Sequence, residues 1–79
     1  MFEIDLRFDR PLDDMTERFL NHSLDDHVVG LLRWRGDGEH VVLTFKVDQP
    51  TREGALREVS RQAGMLWPNQ VPAGVEDVR

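Results

Sequence analysis

Residues 28–47 read VVGLLRWRGDGEHVVLTFKV. Apolar residues alternate with polar ones on both sides of Gly36-Asp37-Gly38. Alternation puts successive side chains on opposite faces of a strand. Asp-Gly between two such runs is the strongest short hairpin signal, because a two-residue turn matching the strand twist needs positive φ. Two strands are therefore predicted, Val28 to Arg35 and His40 to Val47. With Asp37 and Gly38 as the turn residues, Gly36 faces Glu39, Arg35 faces His40, Trp34 faces Val41 and Leu32 faces Leu43. This register gathers Val28, Leu32, Trp34, Val41, Leu43, Phe45 and Val47 on one face, and a slip of one residue scatters them.

Outward from the hairpin the same reasoning places the other elements. Phe2, Ile4, Leu6 and Phe8 alternate with Glu3, Asp5, Arg7 and Asp9, which predicts a first strand ended by Pro11. Asp14 with Glu17 three residues on reads as an acidic capping box opening a helix to about Leu24, with Met15, Phe19 and Leu20 on its apolar stripe and His22 or Ser23 continuing it. Asp25 and Asp26 suit the turn that follows better than a helix C-terminus. Thr51 is the expected N-cap of a second helix with Ala55, Leu56, Val59 and Ala63 on its stripe and Gly64 just past its end. Val75 to Val78 supplies a short fourth strand. The order β-α-β-β-α-β predicts an α+β, ferredoxin-like fold, a four-stranded antiparallel sheet in the order 4-1-3-2 with both helices on one face.

The chain has 79 residues, 39% of them hydrophobic and 32% charged. That is one domain, 1–79, with room for a single core. Cysteine is absent, which excludes disulfides, thiolate chemistry and zinc fingers. No apolar run spans a bilayer, and no signal-peptide pattern precedes the first strand, so a cytoplasmic protein is expected. The net charge of -5 opposes binding to nucleic acid or to an anionic membrane. The charge is uneven. Residues 1–26 carry eight acids and three bases, residues 27–47 two acids and three bases, and residues 48–79 five acids and four bases. Nine of the ten basic residues are arginine and Tyr is absent, a usage common in GC-rich coding.

The segment Phe8-Asp9-Arg10-Pro11-Leu12-Asp13-Asp14 resembles the opening of small uncharacterised proteins of actinobacteria and their phages. Those also run strand, FDRPL-like turn, acidic helix, strand pair, helix and short last strand. The resemblance implies a bacterial or phage cytoplasmic setting. It supplies no catalytic residues, and the helix-turn-helix that follows the module in several such proteins has no counterpart through Arg79.

Candidate chemistry is sparse. His22, His27 and His40 fall on three different elements and do not converge in the predicted register, as a metal site requires. Asp13, Asp14, Glu17, Asp25 and Asp26 lack the alternate spacing around glycine of a calcium loop. Ser23 and Ser60 lie inside helix patterns, not in a nucleophile elbow. No glycine-rich phosphate loop opens a helix. No enzyme activity, no cofactor and no metal are expected. The helix-free sheet face should carry Glu3, Asp5, Arg7, Val29, Leu31, Arg33, Arg35, His40, Val42, Thr44 and Lys46. None is aromatic, so the base-stacking platform of the RNA-binding variants is missing.

That face does read as a protein interface. Val29, Leu31 and Val42 form its apolar centre, and Arg33, Arg35 and Lys46 its charged rim. The expectation is a non-enzymatic protein-interaction module. It works as a homodimer or docks a larger partner through the sheet face or the edge formed by the second strand. The alternative is a small-ligand-binding regulatory domain.

Overall fold

The computed structural model describes residues 1–25 and 30–77. It is α+β. The elements are β1 (Phe2–Phe8), α1 (Asp14–Asp25), β2 (Leu31–Asp37), β3 (His40–Val47), α2 (Arg52–Leu66) and β4 (Gly74–Asp77). All strand pairs are antiparallel, in the order β2-β3-β1-β4, which from the other edge is β4-β1-β3-β2. β1 and β3 are central. Ile4, Leu6 and Phe8 of β1 and Val41, Leu43, Phe45 and Val47 of β3 are buried on the face that α1 and α2 cover with Leu20, Ala55, Val59, Ala63 and Leu66.

The hairpin departs from the predicted register. Asp37 pairs with His40, Gly36 with Val41, Arg35 with Val42 and Trp34 with Leu43. The turn is therefore Gly38-Glu39 instead of Asp37-Gly38. Gly38 has φ of +64, the left-handed region open to glycine at low cost, and it takes the first central position of the turn. Asp37 stays in the strand, where its carboxylate accepts from Arg7 at 2.6 Å. The shift is two residues in pair sum, so faces near the turn are unchanged.

Further along, a β-bulge between Leu31 and Arg33 inserts one extra residue and does change faces. Leu31 then pairs with Phe45 and points into the core at 6% exposure, while Leu32 is 42% exposed. The expectation had these two leucines the other way round. Beside the bulge Gly30 adopts φ of +101 and its carbonyl accepts from Lys46 N–H. Val28 and Val29 lie outside the described residues, as do His27, Asp26 and Val78.

Helix α1 is capped one residue earlier than predicted. Asp13, not Asp14, accepts the Thr16 N–H at 2.8 Å, and its carbonyl takes the Glu17 N–H. The buried face is Thr16, Leu20 and Ser23, spaced four and three residues apart. Met15 is exposed, and Phe19 reaches only the rim of the core, stacked on Trp67. The helix includes Asp25. Thr51 caps α2 as predicted, its hydroxyl accepting from Gly54 N–H. Gly64 is inside α2, which continues to Leu66, and is not among the glycines with positive φ. Trp67 follows, edge-on to Phe8 at 4.9 Å. The Arg10 guanidinium lies 4.5 Å over its ring and donates to Gln70. Arg10 thereby fastens the β1–α1 turn to the loop after α2.

Candidate functional site

The helix-free face is built by alternate residues of three strands. β1 and β2 both run antiparallel to β3, so they run parallel to each other across it. Glu3, Asp5 and Arg7 of β1 lie alongside Arg33, Arg35 and Asp37 of β2. The charge order acid-acid-base meets base-base-acid. Ion pairs form in that order: Arg33 with Glu3 at 3.7 Å, Arg35 with Asp5 at 3.5 Å, and Arg7 with Asp37 at 2.6 Å. Each bridges over β3. Strands two apart are separated by about 9.6 Å, a gap that an arginine side chain and a carboxylate together can span.

Beneath this ladder Val42 is 2% exposed and Thr44 is 4% exposed, although no helix covers them. Val42 is flanked by Arg35 and Arg7 in the register, whose aliphatic stems cover apolar surface while the guanidinium stays wet. The Thr44 hydroxyl donates to Asp5 Oδ1 at 2.6 Å, so Asp5 serves both Thr44 and Arg35. The Arg7 guanidinium beside Asp37 holds that carboxyl below its usual value, first by hydrogen bonding and then by charge.

The six residues expected to form a contact patch are therefore dispersed. Leu31 is a core residue, turned inward by the bulge. Val42 is on the expected face but roofed by charged side chains, so it offers no apolar centre. Val29 lies outside the described residues. Arg33, Arg35 and Lys46 are on the expected face and exposed. The partners of the two arginines, Glu3 and Asp5, and the Arg7–Asp37 pair were not anticipated. Their signal was present in the sequence as the complementary charge orders of residues 3, 5, 7 and 33, 35, 37.

Two other features border this face. Beyond β1, Gly74 of β4 stands opposite Arg7 without a side chain, leaving a cleft of about 320 Å³ lined by Asp5, Arg7, Val42, Gly74, Val75 and Glu76. His40 Nε2 lies 3.7 Å from Asp9 Oδ1. Among the described residues no three histidine, aspartate or glutamate side chains gather as metal ligands, and no helix is long and apolar enough to cross a membrane. Ser23 donates to the Phe19 carbonyl within α1, and Ser60 is on the exposed side of α2. No family model matches the chain, and no curated protein or solved structure matches it either.

Proposed function

We propose that this chain is a non-enzymatic protein-contact module of ferredoxin-like arrangement that docks a larger protein through the outer edge of β2. One observation carries the reading. β2 is an edge strand, and it presents Arg33 and Arg35 on one side and a half-buried Trp34 on the other, with Leu32 exposed at its bulge. The middle of the sheet face is covered by its own ion pairs, which directs contact to this edge. The resemblance of residues 8–14 to actinobacterial and phage proteins is the ground for placing the module in a bacterial cytoplasm.

The test is site-specific photo-crosslinking in producing cells, with a photoreactive residue in place of Leu32 or, as control, in place of Ser60 on α2. A discrete protein adduct from position 32 and none from position 60 is expected. Equal adducts from both positions, or none from position 32, reject the reading. An adduct of twice the chain's mass identifies a homodimer instead of a larger partner. The cleft beside Gly74 favours a second reading, a small-ligand-binding regulatory domain. A metabolite that shifts the Gly74 and Glu76 amide resonances without touching β2 would establish it.

A further inference from the structure

This inference rests on the reading that β2 is the contact element, and it concerns what that edge recognises. Among the described residues β2 pairs with β3 alone. The backbone N–H and C=O groups along its outer side are a template for another strand. The bulge sits at the start of β2 and leaves Arg33 to Asp37 in regular register. The two faces of this stretch differ. On the helix-free face Arg33 and Arg35 stand two residues apart, about 6.8 Å along the strand. Their side chains are 56% and 55% exposed, and their carboxylate partners lie at 3.7 and 3.5 Å, beyond the roughly 2.7–3.2 Å of a hydrogen bond. Each guanidinium therefore keeps donors for a closer carboxylate, and its planar fork suits one. On the helix side Trp34 packs against the core but is only partly buried at the edge.

We propose that an extended acidic segment of another protein adds to β2 as a fifth strand. Carboxylates at alternate positions meet Arg33 and Arg35, and the apolar residue between them covers Trp34. The spacing follows because an added strand repeats the same two-residue period on each face. A second copy of this chain is a poor occupant. The fullest antiparallel pairing of two β2 strands, centred on Trp34, sets Arg33 of each copy opposite Arg35 of the other, and like charges directly opposite repel. Nucleic acid is also disfavoured, because it offers no row of peptide N–H and C=O groups to pair with the outer edge of β2.

The probe is a short synthetic peptide alternating glutamate and valine, titrated into the full chain and followed by amide and indole resonances. Shifts confined to residues 33–37 and the Trp34 indole are expected. Binding should weaken about tenfold in the double variant Arg33→Gln/Arg35→Gln, whose unchanged melting shows that it folds. It should weaken several-fold when salt rises from about 0.15 to about 0.5 M. A peptide with lysine for glutamate, or one N-methylated along its pairing edge, should leave β2 unmoved. The proposal is overturned by any of four results: no shift at β2, equal response to the lysine peptide, shifts centred on Met15 and Phe19, or a stronger response to single-stranded RNA or duplex DNA. These outcomes leave the crosslink from position 32 standing, so failure of the acidic-strand assignment is distinguishable from failure of the β2 edge.

Discussion

Leu31 and Leu32 are adjacent and chemically identical, and one bulge sets which of them is buried. Replacing each with alanine measures that placement. Leu31 is 6% exposed, pairs with Phe45 and belongs to the core cluster. A buried leucine cut to alanine costs about 2–5 kcal/mol, less where neighbours can close the gap. Leu31 lies in the edge row of the core, so the lower part of that range applies, about 2–3 kcal/mol. A chain of 79 residues has roughly 4–12 kcal/mol in total at about 0.05–0.15 kcal/mol per residue. Leu31→Ala therefore removes a large fraction, and Tm should fall by about 10–20 °C at roughly 4–8 °C per kcal/mol. Leu32 is 42% exposed, so Leu32→Ala should stay within about 0.5 kcal/mol of the parent. The assay is paired thermal and urea unfolding by circular dichroism, with an unchanged urea slope as the check that only stability moved. The opposite ranking would mean that β2 runs without the bulge, in the register the hairpin pattern alone predicts. Equal losses would mean that the two registers coexist.

Two other expectations rest on backbone and cap. Gly30→Ala should destabilise more than Gly38→Ala. Both have positive φ, but Gly38 at +64 lies in the left-handed region that an alanine can enter, whereas Gly30 at +101 lies beyond it, and a Cβ there would also have to displace the Gln62 amide, 2.5 Å away. Urea midpoints of the two variants give the ranking, and a milder Gly30→Ala would refute this reasoning. The N–H of Thr16 holds the Asp13 carboxyl below its ordinary value, so the folded state binds this proton less readily than the unfolded chain. The resulting stability is fully present above the unfolded value, about pH 3.9, and is lost as pH falls through the folded one. Asp13→Asn keeps a capping side chain but removes the titration. Its urea midpoint should fall less steeply than the parent's between about pH 5 and pH 2, and an unchanged slope would show that the cap carries none of the acid sensitivity.

Period-two alternation placed β1, β3 and the faces they turn to the helices, because both strands are central. Turn chemistry located the hairpin but not its pairs. Gly38 satisfies the demand for positive φ from either neighbouring register, and the register adopted keeps Asp37 in the strand, in reach of Arg7 thirty residues away. The bulge had no local signal. Leu31 and Leu32 are interchangeable by propensity, and the distinguishing feature is tertiary: Gly30, with φ of +101, lies against Gln62 on α2. On α1, Met15 outranked Thr16 by hydrophobicity, yet Thr16 faces the core with Leu20 and with Ser23, one of the two residues expected to continue the stripe, whose hydroxyl is satisfied on the Phe19 carbonyl. The contact surface suffered most, since one face inversion at Leu31 and one charged roof over Val42 removed its apolar centre. The arginines survived because exposed residues of an edge strand depend least on packing.

A chain of net charge -5 is an unexpected host for an acidic strand, and the resolution lies in distance. The helix-free face is balanced: Arg7, Arg33, Arg35 and Lys46 against Glu3, Asp5, Asp37 and Glu76. The surplus negative charge sits elsewhere, with Asp14 and Glu17 of α1 on the far side of a sheet whose layers are about 10 Å apart. Treated as point charges about 20 Å apart, the whole chain and a peptide of three glutamates repel by roughly 3 kcal/mol in unscreened water. At about 0.15 M salt the Debye length is about 8 Å, and that repulsion drops to a few tenths of a kcal/mol. Contacts between a carboxylate and Arg33 or Arg35 act at a few ångströms and are screened far less. Lowering salt therefore strengthens the long-range repulsion more than the local attraction, while high salt erodes the attraction itself. Affinity for the glutamate–valine peptide should pass through a maximum near physiological ionic strength and decline on both sides. A steady rise in affinity down to about 0.01 M, where the Debye length reaches about 30 Å, would show that the peptide senses a basic surface and not two arginines on an acidic protein.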